Sequence, residues 1–232
     1  MRKFDYTFLK KISVPADIMN SATSIYEMKA KAELRRTDFA EVFSAMESVA
    51  KIQSVKISNA IKWIIMTDKR IRDIVNKSTA PLGHNELEIA GYRDALDLIH
   101  SSYSDIPFSE KSILELHRML LQPSGDDLAG KYKTEDNSIM EIDREGVRSV
   151  RFTPVPAGET STAMEQLILA YHAAYLEAEI NPLLLIPCVI LDFLCIHPFR
   201  GGNGRMSRLL SLLLLYKSGF SSGKYVSIAY PY

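Results

Sequence analysis

The residues best equipped for chemistry lie close together. A histidine, three glycines and the pair Arg205 and Arg208 fall within the run HPFRGGNGRMSR, His197 to Arg208. The apolar stretch LLLIPCVILDFLCI precedes it and LLSLLLLY follows it, so this polar run interrupts two segments that must be buried. Gly201, Gly202 and Gly204 allow positive φ and close approach of the backbone to a ligand. A helical pattern resumes at Arg205, which puts the turn at a helix N-terminus, where free N–H groups and the helix dipole suit phosphate. Arg205 and Arg208 are three apart and share a helix face, from which both can fork onto phosphate oxygens. His197, just before the turn, could take a proton from a hydroxyl. The local chemistry is phosphate or nucleotide binding with a general base beside it. Taken singly, the glycines make an ordinary helix–helix turn and the histidine an ordinary capped residue; the ordered combination points to function.

In this order the residues resemble the signature of Fic-domain proteins, His-Pro-Phe-x-(Asp/Glu)-Gly-Asn-Gly-Arg-x-x-Arg. The exception is Gly201, where the family carries a carboxylate. The segments NELEIAGYRDAL (85–96), GKYKTEDNSI (130–139) and VRFTPVP (150–156) also resemble Fic-protein segments, and the likeness is weakest over the first forty residues. The resemblance implies AMP transfer from ATP to a Ser, Thr or Tyr hydroxyl of a protein substrate. His197 would be the base, and the backbone of Gly202, Asn203 and Gly204 would hold the α- and β-phosphates. Arg205 and Arg208 would neutralise the triphosphate, with Phe199 as a core anchor. It also implies Mg²⁺ between the phosphates. The usual carboxylate ligand is Gly201 here, so no metal ligand is named and the activity is expected to be attenuated. Two alternatives stay open: a silent Fic domain that binds nucleotide or other proteins, and an enzyme using another donor such as UTP or a phosphocholine nucleotide.

The elements that must position these residues are mostly helical. Ile18, Met19, Ala22, Ile25, Tyr26 and Ala30 recur at helical spacing between Pro15 and Arg36, after an irregular arm over 1–14. A second helix, capped by Thr37, would bury Phe39, Val42, Phe43, Met46 and Val49. Thr67 or Asp68 would cap a short helix carrying Ile71 and Ile74. Asn85 would cap one running through His100, and Ser109 another over 111–121. His100, His117 and His172 read as surface or satisfied core histidines. Ser161 to Glu179 forms a long helix. Asn181-Pro182 starts a nearly apolar central helix that delivers His197, and a second buried helix runs from about Asn203 to Ser218, stopped by Gly219.

Between Pro123 and Pro156 the helical period disappears. KYKTEDNSIMEI and VRSVRFTPV flank the turn DREG and read as a β-hairpin. In Fic proteins a hairpin here is the flap, which aligns a target segment by strand addition. Ile139, Met140, Arg151 and Phe152 are the flap candidates. Many Fic proteins also carry an inhibitory helix, (Ser/Thr)-x-x-x-Glu-(Gly/Asn), whose glutamate pairs with the second motif arginine, here Arg208. One alignment starts at Ser58 and puts Lys62 and Trp63 at the last two positions. Another starts at Ser54 and puts Ser58 at the glutamate position. Neither supplies the glutamate, so two readings stay open: an ordinary helix with no regulatory role left, or release from self-inhibition with Lys62 facing phosphate.

The expected fold is a mostly α, Fic-type helical domain with a β-hairpin flap beside the active site. Residues 1–80 form an N-terminal helical part that includes the inhibitory-helix-like segment 54–66, and 81–232 form the core. Many relatives continue into a further domain, so an extension beyond Tyr232 is expected. Lys+Arg and Asp+Glu both number 28, which gives no global electrostatic case for nucleic acid or an anionic membrane. MRKFDYTFLKK lacks a signal-peptide core and the apolar runs are broken by Pro187, Asp192 and the motif, so a cytoplasmic location without a membrane span is expected. Cys188 and Cys195, seven apart on one helix face, are expected in the core, unbridged. A homo-oligomer stays open.

Overall fold

The computed structural model describes residues 4–61, 66–143, 145–177 and 179–228. Eight α-helices and one two-stranded antiparallel sheet are present among them: α1 Ala16–Arg35, α2 Ala40–Ala60, α3 Asp68–Val75, α4 Gly83–Ser102, α5 Glu110–Leu121, β1 Ile139–Ile142, β2 Arg148–Phe152, α6 Thr160–Tyr175, α7 Pro182–Ile196 and α8 Asn203–Lys217. One hydrophobic core joins α3 through α8, and Val55 of α2 also reaches it. The fold class is as expected: mostly helical, with the hairpin beside the motif.

Local chemistry sets the boundaries. Asn181 accepts a hydrogen bond from Leu183 N–H, and Pro182 occupies the first turn of α7, where its missing N–H costs nothing. Thr67 caps α3 and Ser109 caps α5 through their hydroxyls. Gly219, with φ of 81°, lies just beyond the end of α8, and the N–H of Phe220 returns to Leu215 O. Gly91 of α4 has a structural task. A Cβ there would sit 2.4 Å from Leu120 O, so only glycine lets α4 and α5 approach so closely. That approach holds the His117–Leu120 turn of α5 under the motif.

Several sequence expectations need correction. Thr37 does not cap α2; Phe39 stands at the cap with no side-chain bond. Asn85 does not cap α4, which starts two residues earlier at Gly83. The predicted stripe of α2 is not buried: Val42 and Val49 are exposed, and the buried residues are Ala50, Ser54, Val55, Ser58 and Asn59. No residue of α1 is buried. The arm is not wholly irregular: Thr7–Lys10 forms a 3₁₀ turn, Leu9 is buried, and the Tyr6 hydroxyl donates to Asp192 Oδ2 at 3.0 Å. Cys188 and Cys195 are half-buried and unbridged. Among the described residues, no helix is long and apolar enough to cross a membrane.

Candidate functional site

The site is built where α7 ends and α8 begins. His197 is the first residue beyond α7. Its φ of 51° and ψ of 60° are left-handed, a region costly for a residue with a Cβ. Its N–H still donates to Phe193 O at 2.9 Å, so the helix closes onto the histidine. The ring is half-buried and its Nδ1 is buried without a hydrogen-bond partner. Burial holds the imidazole below the ordinary histidine pKa, and the Lys133 ammonium lowers it further, against the Leu194 carbonyl, which favours the protonated ring. Burial therefore favours the neutral ring, one nitrogen of which can take a proton.

The turn after His197 is fixed from inside and from below. Asn203 accepts from Phe199 N–H at 3.0 Å and donates to Phe199 O at 2.7 Å, tying the first residue of α8 back across the turn. Phe199 is fully buried, its ring stacked on His117 with centroids 3.7 Å apart and planes 5° apart. His117 Nδ1 accepts from Gly130 N–H, so its proton sits on Nε2 and is donated to Gly201 O at 3.0 Å. Burial pushes the His117 pKa down to about 4, which keeps that arrangement neutral. Gly202 has φ of 81°, and a Cβ would lie 3.3 Å from Leu120 and 3.5 Å from His117. The left-handed φ favours glycine here, and the Leu120 contact leaves little spare room for a side chain. The backbone N–H groups of Asn203, Gly204 and Arg205 open α8 and have no intrahelical acceptor, which makes this end an anion cradle.

The two arginines separate. Arg205 is expected from its spacing to face phosphate, yet it is 2 % exposed and its Nη1 donates to Glu88 at 2.9 Å. Glu88, also buried, meets His84 Nε2 at 3.0 Å through its other oxygen. Arg205 thus ties α8 to α4 from inside the core. Spacing of three put it on the face of Arg208, but its side chain turns toward the buried carboxylate of Glu88. Arg208 remains half-buried: Nε donates to Ser58 Oγ at 2.8 Å and Nη2 to Ser58 O at 3.0 Å, and Nη1 lies 3.7 Å from where a Gly204 Cβ would stand. Burial lowers the pKa of both arginines, but both guanidiniums stay charged at any physiological pH. The alignment that starts at Ser54 therefore puts its glutamate position, Ser58, on Arg208 as a neutral hydroxyl and carbonyl. Lys62 and Trp63, the positions of the other alignment, lie outside the described residues.

Gly201 was singled out for its missing carboxylate. A Cβ there meets nothing within 4 Å, so the position is open. Among the described residues no group of three His, Cys, Asp or Glu could hold a metal. With glycine at 201, where the resemblance implies a carboxylate, the residues present do not fit a protein-held Mg²⁺.

The hairpin stands beside the turn. β1 pairs with β2 from Ile139↔Phe152 to Ile142↔Arg148, with an irregularity after Ile139. Its approach strands bind the motif: Lys133 N–H donates to Pro198 O at 2.9 Å, Asn137 Nδ2 to Phe199 O at 3.3 Å and Val155 N–H to Cys195 O at 3.4 Å. Met140, Arg151 and Phe152 are exposed and Ile139 is half-buried. Sequence reasoning missed several residues that touch the motif, among them Glu88, His117, Lys133 and Asn137. Two had a readable signal, since Glu88 and His117 lie on the apolar faces of α4 and α5.

A left-handed histidine between two buried helices, a glycine turn and a flanking hairpin meet at the junction of α7 and α8. Residues 107–215 match the Fic/DOC family. It is 28% identical over 181 residues to a protein named protein adenylyltransferase Fic from Nematostella vectensis, covering 74% of this chain and 39% of that one. It is also 28% identical over 194 residues to protein adenylyltransferase fic-1 from Caenorhabditis elegans, covering 81% of this chain and 33% of that one. The chain thus spans about a third to two fifths of these curated relatives. Its fold is similar to that of a Fic domain containing signaling protein from Bacteroides thetaiotaomicron, with TM-score 0.72 at 22% identity over 84% of this chain and 73% of that one.

Proposed function

We propose that the chain transfers AMP from ATP to a hydroxyl side chain of a protein. The observation that carries this reading is the left-handed His197 held opposite the open N-terminus of α8. Two relatives named protein adenylyltransferases support the reaction class. The backbone of Gly202, Asn203 and Gly204 would cradle the phosphates, and Arg208, leaving Ser58, would meet their charge. His197 Nε2 would take the hydroxyl proton as the oxygen attacks the α-phosphorus. The bond from that phosphorus to the bridging oxygen breaks, and pyrophosphate leaves. Positioning and charge stabilisation carry most of such a reaction. The exposed hairpin edge would align the target, with Ile139, Met140, Arg151 and Phe152 along it.

Gly201 favours a second reading, a slow or silent domain that binds nucleotide or another protein. One experiment separates the two: label transfer from ATP to protein by the wild type, His197→Ala and Gly201→Asp. Transfer should vanish in His197→Ala with ATP binding retained. It should rise tenfold or more in Gly201→Asp, because a metal ligand is worth several kcal/mol and the position has room. Transfer undiminished by His197→Ala would refute the base assignment. No label from any of the three would favour the binding reading.

A further inference from the structure

His197 holds a backbone conformation that its own side chain disfavours, so something outside α7 must maintain it. The segment 133–137 does so. Lys133 is 4 % exposed, an unusual degree of burial for a lysine. Its Nζ donates to Ile196 O at 3.2 Å, on the N-terminal side of His197. Its own N–H donates to Pro198 O at 2.9 Å, on the C-terminal side. Asn137 completes the arrangement: its Oδ1 accepts from Lys133 Nζ at 2.8 Å, and its Nδ2 donates to Phe199 O at 3.3 Å. Three bonds from five residues of chain thus bracket the histidine, and a fourth, within the segment, orients the lysine.

We propose that Lys133, oriented by Asn137, is a positioning residue for His197, clamping the peptides on both sides of it with one ammonium and one backbone amide. The inference rests on the reading of His197 as the base. The clamp does two things. It fixes the imidazole relative to the cradle, and it places a full positive charge beside the ring. Among the described residues, Lys133 is the charged group that bears on the titration of His197. Asp136 faces Lys133 and favours its charged form, against the burial that lowers its pKa. The Leu194 carbonyl is the neutral polar group that favours the protonated ring. A cation beside an imidazole disfavours its protonated form. Removing the charge should therefore raise the proton affinity of His197 and leave more of it protonated, and useless as a base, in mildly acidic solution.

Two substitutions divide the clamp into charge and hydrogen bond. Lys133→Gln keeps a donor for Ile196 O and removes the charge; Lys133→Arg keeps both. The direct readout is the titration of the His197 ring by NMR, which needs no turnover, with the backbone fingerprint reporting on the fold. In Lys133→Gln the His197 midpoint should move upward, toward the ordinary histidine range. In Lys133→Arg it should stay with the wild type. The acidic limb of the transfer rate should move the same way, with kcat affected more than KM. An unmoved His197 midpoint in folded Lys133→Gln overturns the proposal. So does an equal rise in Lys133→Arg, which would assign the effect to packing. If Lys133→Gln does not fold, Lys133→Arg decides: a wild-type midpoint supports the clamp and a raised one rejects it. Absence of transfer by the wild type would count against the base assignment, while the NMR titration would still decide the clamp.

Discussion

The junction of α7 and α8 and the α1–α2 pair carry equally strong helical patterns, and they are built in opposite ways. Around the junction Phe193, Phe199 and Leu210 are completely buried. Its polar groups are met by partners from distant parts of the chain: Glu88, His117 and Lys133. On α1 and α2 the apolar residues face outward, Leu34 at 78% and Val42 at 55% exposure, around an apolar groove of about 520 Å³ that includes Met28, Phe43, Met46 and Phe220. Periodicity therefore reports that a stretch is helical and one-sided. It does not report what lies against that side.

The largest expected effect would break the buried side of the comparison. Glu88→Ala leaves Arg205 as an uncompensated charge in the core. It should cost about 3–5 kcal/mol, the range for removing one partner of a buried pair, read as a fall in the urea midpoint. A loss under 1 kcal/mol would mean that Arg205 finds water or another acceptor.

Acid should come next. His117 and His100 both have pKa values pushed down to about 4 by burial, against an ordinary value near 6.5. Over that window the unfolded chain binds more protons than the folded one, so the contribution is fully present above about pH 6.5 and is lost as pH falls toward 4. Each histidine accounts for about 3 kcal/mol over the window. Urea unfolding at a series of pH values checks this, and His117→Gln should flatten the curve by about half.

Ser58→Ala removes one of the two bonds that hold Arg208 on α2. Where Arg208 must leave Ser58 to meet phosphate, ATP should bind tighter by up to about 1 kcal/mol, the net worth of one such bond. Weaker binding in a calorimetric titration would mean instead that Ser58 aims the arginine at its ligand. The smallest effect belongs to the exposed pair: Val42→Lys should change stability by no more than about 0.5 kcal/mol. A larger loss would show that the outward face of α2 is covered in solution.

The helices, the α7 cap at Asn181 and the hairpin turn were legible because each rests on local rules of spacing, capping and turn chemistry. The junction itself was legible as a motif because its glycines and histidine are adjacent in sequence. What failed was long-range. Arg205 and Arg208 sit three apart, and their spacing cannot say that one turns inward to a carboxylate 117 positions away while the other meets Ser58. Lys133 stands in the polar run KYKTED, where nothing local distinguishes a buried lysine from a solvated one. The stripes of α1 and α2 misled for the same reason in reverse, since their residues are those of a core face without a core partner.

The hairpin has a consequence for selectivity. Every residue of β2 is exposed, and the sheet has only two strands. Five residues of edge extend about 16 Å at 3.3 Å per residue. A segment laid along such an edge is gripped mainly through its peptide groups, and alternate side chains point away. Two or three side chains at most would be inspected. An edge of this length discriminates extended from folded backbone far better than it discriminates one sequence from another.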